Sequence, residues 1–298
     1  MNIQEITPNL HLINLKQDIS GFRNFISSWI FNSNINFLVD IGPAATIKSL
    51  LEALEELNIK KLDYILLTHI HLDHAGGIGH LIDLFPEAKV VCCQKGIKHL
   101  VDPEKLWEGS TKALKDIALK YGQIKPTPKE RIIPAEEFNS SGIQAINTPG
   151  HAAHHVSYVY DKYLFAGEAG GVFHSFNNEL YLRPATPPVF YLEEAVESIN
   201  KLIELGKKHI CYGHFGHFDN SLDTLSMHKN QLYLWKNIIS DVLNSSSKEN
   251  LIENCVSTLL SRDDLFKPLN GFDEDIIQRE LYFVKNSIRG YLGYLEVD

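Results

Sequence analysis

Apolar residues in the first third of the chain recur with two different periods. From Asn9 to Leu15 they alternate with polar ones, the two-residue period of a half-buried strand, and Ser28 to Asn32 with Asn36 to Ile41 reads as the two arms of a hairpin. Gly42-Pro43 stops that run. From Ala44 to Leu57 the period lengthens, and Ile47, Leu50, Leu51, Leu54 and Leu57 fall on one helical face. Asp63 to Thr68 is a compact apolar strand that runs into a cluster of histidines. Ala88 to Cys93 reads as another strand. Gly96 to Tyr121 reads as helical segments broken near Asp102-Pro103 and again around Gly109-Ser110, an insertion able to cover a site.

The same order then repeats. Arg131 to Pro134, Ile143 to Thr148, Val156 to Tyr160 and Tyr163 to Ala166 have strand character, with Asp161-Lys162 as a hairpin tip. The prolines between Tyr181 and Phe190 exclude a regular helix and predict a rigid loop, which Phe173, Phe176, Tyr181 and Tyr191 flank. Leu192 to Leu205 is a helix by its spacing, and His209 to Tyr212 a short strand. Past Asn220 no strand signal remains: Leu222 to Leu243, Lys248 to Leu260 and Glu274 to Leu295 are helical, separated by Asn244-Ser-Ser-Ser247 and Pro268-Leu-Asn-Gly271. Two blocks of strands followed by helices predict two packed sheets with helices outside. The predicted division is an α/β domain over residues 1–220 that carries the chemistry, then a helical C-terminal region over 221–298.

Composition narrows the class of protein. A chain of 298 residues, 44% of them apolar, can bury a substantial core. With 28 basic and 37 acidic residues it has a net charge of −9, which offers polyanions no global field, so nucleic acid is not an expected partner. The stretch MNIQEITPNLHLINL lacks a basic leader followed by an apolar run, and no segment is long enough to span a bilayer, so a cytoplasmic protein without a membrane partner is expected. Cys92, Cys93, Cys211 and Cys255 form neither a C-x-x-C pattern nor a disulfide framework and read as buried thiols.

The chemistry concentrates in Leu66-Leu-Thr-His-Ile-His-Leu-Asp-His-Ala-Gly-Gly77, where three imidazoles and one carboxylate fall within six residues at a strand end. A lone histidine is ordinarily a satisfied surface or core residue, but packing does not call for this density. An extended backbone puts His69 and His71 on one side, able to converge on one ion, while Asp73 and His74 at the turn into a helix can face a second. Imidazole with carboxylate suits zinc, and also iron or manganese.

H-x-H-x-D-H in this setting resembles the metallo-β-lactamase superfamily, and the likeness continues in order over most of residues 8–217. Asp40, at a strand end in Phe37-Leu-Val-Asp-Ile-Gly42, matches a carboxylate that supports the metal loop from behind. Thr148-Pro-Gly-His151, Phe165-Ala-Gly-Glu-Ala169 and Tyr212-Gly-His214 match the later motifs. The resemblance implies a four-layer αββα sandwich holding two divalent ions, with His69, His71 and His151 on the first, Asp73, His74 and His214 on the second, and Glu168 as the bridging carboxylate. Glu168 is a departure, since the family usually has Asp there. His155 corresponds to a structural histidine, whereas His80, His154, His174 and His217 are not expected as ligands. His174 and Tyr181 are placed as substrate-pocket candidates.

The resemblance further implies a hydrolase whose nucleophile is a metal-bridging hydroxide, with Asp73 both ligand and proton acceptor. The helical C-terminal region is similar to the glyoxalase-II-like layout, which points to a small-molecule ester, lactone or thioester. A phosphodiester substrate and iron-dependent chemistry on oxygen or persulfide are the alternatives, as is a metal-dependent scaffold that dimerises through its C-terminal helices.

Overall fold

The computed structural model describes residues 2–176, 179–245 and 249–297. One sheet of seven strands runs in chain order: β1 (Ile3–Thr7), β2 (Leu10–Asn14), β3 (Ser27–Asn32), β4 (Asn36–Val39), β5 (Tyr64–Leu66), β6 (Lys89–Cys92) and β7 (Ile132–Pro134). Neighbours pair antiparallel up to β4 and parallel from β4 to β7. The change comes where helix α1 (Ile47–Glu56) supplies the first crossover that a parallel pair requires. The second sheet contains β8 (Asn139–Ser140), β9 (Ile143–Asn147), β10 (Val156–Tyr160) and β11 (Tyr163–Gly167). After a separate hairpin of β12 (Val172–Phe176) and β13 (Glu179–Arg183), β14 (His209–Tyr212) and β15 (His217–Phe218) complete its order as β15-β14-β11-β10-β9-β8.

Strand alternation builds the layers. On β4, Phe37 and Val39 face the second sheet while Leu38 faces outward; on β6 Val91 faces inward, Val90 and Cys92 outward; on β11 Tyr163 and Phe165 face inward, Leu164 and Ala166 outward. The inward set, with Trp29 and Tyr158, forms the core between the sheets. The outward face of the first sheet is covered by α1 and by α4 (Gln94–Val101), through Leu50, Leu54, Ile97 and Leu100. That of the second is covered by α7 (Leu192–Ile203) and by α8 (Ser221–Ser245), α9 (Leu251–Arg262) and α10 (Glu274–Val297). The result is the four-layer αββα sandwich, with the C-terminal helices sharing one core with α7. All four cysteines are buried free thiols. No described helix is long and apolar enough to cross a membrane.

Three local expectations change. The insertion consists of α4, α5 (Glu104–Leu114) and α6 (Asp116–Tyr121), and α5 runs straight through Gly109-Ser110. A glycine inside a helix costs only about 1 kcal/mol, and the chain breaks instead at Lys115, whose φ of 51° is left-handed. The predicted loop after Tyr181 begins later than expected, because Glu179–Arg183 pairs with Val172–Phe176. Of the third helix boundary, Ser246, Ser247 and Lys248 lie outside the described residues, and α9 starts at Leu251.

Candidate metal centre

The seven ligand-type residues come together at one end of the sandwich, in the segments that leave β5, β9, β11 and β14. His69 and His71 sit on the loop after β5, and Asp73 and His74 on the short helix α2 (Leu72–Ala75) that follows. His151 is in the β9–β10 connection, Glu168 follows β11, and His214 follows β14. One group brings donor atoms of His69, His71, His151 and Glu168 within 4.8 Å of one another, and a second does so for Asp73, His74 and His214.

Backbone and outer partners aim the rings. Asp40, almost fully buried and itself left-handed at φ 53°, accepts three hydrogen bonds: from the Thr68 N–H at 2.8 Å, the Thr68 hydroxyl at 2.7 Å and His74 Nδ1 at 2.8 Å. Thr68 Oγ1 then takes the proton of His69 Nδ1 at 3.0 Å. His151 Nδ1 donates to the Ala185 carbonyl at 2.8 Å and His214 Nδ1 to that of Phe25 at 3.2 Å. With Nδ1 occupied, each of these four rings directs Nε2 inward, the usual way in which outer partners orient metal-binding histidines.

The inward atoms converge on Glu168. Its Oε2 lies 2.9 Å from His151 Nε2, 3.2 Å from His69 Nε2 and 3.5 Å from His74 Nε2, and its Oε1 lies 3.3 Å from His214 Nε2. One carboxylate thus reaches both groups. Gly167 makes the approach feasible: at φ 56° a Cβ there would stand 2.5 Å from His155 Nε2 and 2.8 Å from Thr68 Cβ. His155 completes the support, accepting the Glu168 N–H at 3.1 Å on Nε2 while Nδ1 bonds Thr148 Oγ1 at 2.9 Å.

The donor set fits divalent ions. His69 Nε2 and His74 Nε2 are buried and make no hydrogen bond, which in a closed polar site leaves two lone pairs in need of a partner. His71 Nδ1 faces His151 Nε2 at 3.0 Å, a contact between two acceptors unless a proton or a cation lies between them. Donors bound about 2.0–2.1 Å from a tetrahedral ion stand about 3.3 Å apart, which is the scale of the separations around Glu168. The electrostatics call for positive charge as well. Burial pushes His69 and His71 well below the ordinary imidazole value. Burial also opposes charge on His74, but the Asp73, Asp40 and Glu168 carboxylates outweigh it and lift the ring to about 9. Glu168 is held well below the carboxylate range despite its burial, chiefly by His151 and His214. Protons and metal compete for such a site.

Five of the candidate ligands, His71, Asp73, His151, Glu168 and His214, line a cavity of about 700 Å³. The C-terminal helix α10 contributes Phe283, Asn286 and Ser287 to its wall, and α4 and α5 roof the other side. Neither pocket candidate from the sequence is there. His174 packs against Phe215 and Phe272, with Nδ1 turned to the Ser175 carbonyl. Tyr181 is buried on β13, its hydroxyl donating to Glu280 at 2.7 Å. The unexpected hairpin explains both, since pairing β12 with β13 carries these side chains toward the C-terminal helices. Arg183 borders the cavity, but its guanidinium is committed to Glu280. Sequence reasoning missed Tyr121, a cavity-lining residue whose buried hydroxyl has no hydrogen-bond partner, and the lysines of α4 and α5; nothing in their local spacing marks them.

The profile of the metallo-beta-lactamase superfamily matches residues 22–214, and the chain belongs to that superfamily. Metallo-beta-lactamase fold-containing protein ST1585 of Sulfurisphaera tokodaii is 36% identical over 167 residues, 53% of this chain and 62% of that protein. A hydroxyacylglutathione hydrolase of Buchnera aphidicola subsp. Schizaphis graminum is 29% identical over 191 residues, 62% of this chain and 60% of its own length. The alignments with these two relatives therefore span less than two thirds of either. The crystal structure of ST1585, described from Sulfolobus tokodaii, has a TM-score of 0.66 at 25% identity and covers 95% of this chain and 98% of its own. Metallo-beta-lactamase family protein TTHA1429 from Thermus thermophilus shares the fold, with a TM-score of 0.65 at 20% identity over 98% of this chain and 94% of its own. Metal-dependent hydrolysis is the typical activity of the superfamily.

Proposed function

We propose that the protein is a dinuclear metal-dependent hydrolase that cleaves an ester, lactone or thioester. The observation that carries this reading is Glu168, one carboxylate within 3.5 Å of Nε2 atoms from both ligand groups, at the floor of a cavity large enough for a small substrate. His69, His71 and His151 would hold one ion, Asp73, His74 and His214 the other, and Glu168 would lie between them. Zinc is the first expectation for nitrogen and oxygen donors without thiolate, and iron and manganese suit the same set. Bound there, the ions would supply Lewis acidity, polarising an acyl carbonyl and acidifying water.

The chain's own groups set the rest. Asp73 lines the cavity with its Oδ2 3.7 Å from His214 Nε2 and 3.8 Å from His74 Nε2, beyond hydrogen-bonding distance, so the carboxylate keeps capacity for a proton from the attacking water. Tyr121, Phe25 and Phe283 wall the reacting region with apolar surface. The hydroxyacylglutathione hydrolase relative supports an acyl substrate, as does the atrochrysone carboxyl ACP thioesterase of Aspergillus fumigatus, 26% identical over 189 residues.

Purified protein is expected to carry about two divalent ions per chain by mass spectrometry, as in typical two-metal hydrolases, to lose them in His69→Ala, and to turn over a member of an ester, lactone and thioester panel. Iron accompanied by oxygen consumption would replace this reading with redox chemistry, and a folded chain that takes up no metal would overturn it. Asp73→Asn is expected to lower kcat about 100-fold, the low end for loss of a general base. Full activity with both metals retained would remove the proton-acceptor role.

A further inference from the structure

Helix α5 has a hydrophobic side, yet none of its residues is buried. Lys105, Leu106, Gly109, Ser110, Ala113 and Leu114 share one helical face by their spacing and line the cavity, with Leu106 and Leu114 half-buried and also packed against the core of the first sheet. Across from it stand Phe283 of α10, Phe25 and Tyr121. The Tyr282 hydroxyl of α10 donates to the Ala113 carbonyl at 3.3 Å and joins the two walls at one point. Beside it, the surface that Leu106, Ala113 and Leu114 leave open to the cavity, with aromatic side chains opposite, is what an apolar chain would cover, because apolar surface on both sides is then removed from water.

The same wall reverses the sign of the protein's charge. Lys95 and Lys98 of α4 line the cavity beside Lys105, and among the described residues none of the three forms an ion pair. The acids of the lining are Asp73 and Glu168, which face the ligand histidines. On a chain of net charge −9, three ammonium groups on one wall make a local positive field. Their position relative to the ligands is fixed. A Cβ at Gly96 would lie 2.8 Å from Ile70 Cγ2, so α4 is seated directly against the loop that carries His69 and His71.

We propose that this cavity selects an amphiphilic acyl compound, with an extended apolar chain lying between α5 and α10 and an anionic group, phosphate or carboxylate, held by Lys95, Lys98 and Lys105. The bond that is cleaved rests on the hydrolase reading; the recognition rests on the cavity alone. Tyr121 leaves one buried hydroxyl on the wall for a polar atom of the bound molecule.

Decyl sulfonate, whose anion is a poor metal ligand, tests the recognition by titration calorimetry on the metal-loaded protein beside decanol and butane sulfonate. Decyl sulfonate is expected to bind about tenfold tighter than either, and its advantage over decanol is expected to shrink as salt rises to about 0.5 M, where exposed charges are screened. The triple variant Lys95→Ala, Lys98→Ala, Lys105→Ala should bring the sulfonate down to the level of decanol with decanol binding unchanged, and the corresponding triple arginine variant should keep the preference. Ala113→Trp, at an exposed position that lines the cavity, should weaken both decyl ligands. Equal binding of decyl sulfonate and decanol, or a preference that survives removal of the lysines, would overturn the proposal. Decanoyl thioesters of a phosphate-bearing, a carboxylate-bearing and a neutral thiol then identify the source of the anion. Selective binding of the sulfonate with no turnover of any thioester, ester or lactone would count against the hydrolase reading and leave this one standing.

Discussion

Asp40→Ala is expected to lower stability by about 4 kcal/mol, since it removes one buried carboxylate from three donors at once and each buried donor left unsatisfied costs about 1–3 kcal/mol. The donors belong to the metal loop itself: the N–H and hydroxyl of Thr68, and His74 Nδ1. Loss of the acceptor therefore also frees the His74 ring to turn and releases the Thr68 hydroxyl that orients His69. Metal affinity should fall by about 10–100-fold, the usual effect of removing a group that holds a ligand histidine. Asp40 has a left-handed backbone, which asparagine tolerates better than alanine, so Asp40→Asn separates the lost charge and acceptor from backbone strain. An amide in that place can serve one side of the loop but points N–H groups at the other, and an intermediate loss is expected. Urea unfolding with metal content measured on the same samples checks both parts. Wild-type stability and full metal occupancy in Asp40→Ala would remove the supporting role.

The grouping of the candidate ligands is legible in the sequence in two different ways. His69, His71, Asp73 and His74 lie within six residues, whereas Asp40, His151, Glu168 and His214 are singled out by the family resemblance, through the motifs that follow the first one in order. The sandwich was legible from local alternation: strands such as Phe37 to Val39 carry alternating faces that two cores divide between them. What stayed hidden depends on contacts distant in sequence. His174 is expected in the pocket because it follows Glu168 closely along the chain, and Tyr181 because it flanks the proline-rich loop, but the β12–β13 hairpin sends both elsewhere. The cavity wall escaped as well. The half-buried face of α5 reads like any amphipathic helix, and the position of α10, more than 150 residues later, is part of what turns it into a lining.

The C-terminal helices are tied to the metal centre by a chain of contacts rather than by shared ligands. Arg279 of α10 donates to the Gly21 carbonyl at 2.5 Å and lies 4.1 Å from the centre of the Phe25 ring. Phe25 stacks on the His214 imidazole at 4.3 Å and accepts its Nδ1 proton through the backbone. The position of α10 therefore bears on the orientation of a candidate ligand, and the buried ionic group that anchors α10 is Glu280. It takes Tyr181 at 2.7 Å, Arg183, and Arg279 at 3.0 Å, all away from water.

Glu280→Ala is accordingly expected to cost about 3–5 kcal/mol, because it strands two buried guanidinium groups without their counter-charge. The pH dependence isolates the ionic part. Burial pushes the Glu280 carboxyl upward, but Arg183 and Arg279 outweigh that and hold it at about 2, against an ordinary value of 4.5. A depressed carboxyl contributes stability that is fully present above about pH 4.5 and is lost as pH falls toward 2, when the folded protein must take up the proton. At about 1.4 kcal/mol per unit the ionic contribution is about 3 kcal/mol. Other carboxylates titrate in the same window, so the informative quantity is the difference between wild type and Glu280→Gln in urea unfolding at pH 7, 4.5 and 3. That difference should be largest at pH 7 and 4.5 and narrow at pH 3, because there the unfolded wild-type chain has taken up the proton that the folded protein still resists, and the glutamine variant has no such proton to bind. A constant gap across the three would show that Glu280 acts by packing and neutral hydrogen bonds, and would cut the electrostatic link from α10 through Arg279 and Phe25 to His214.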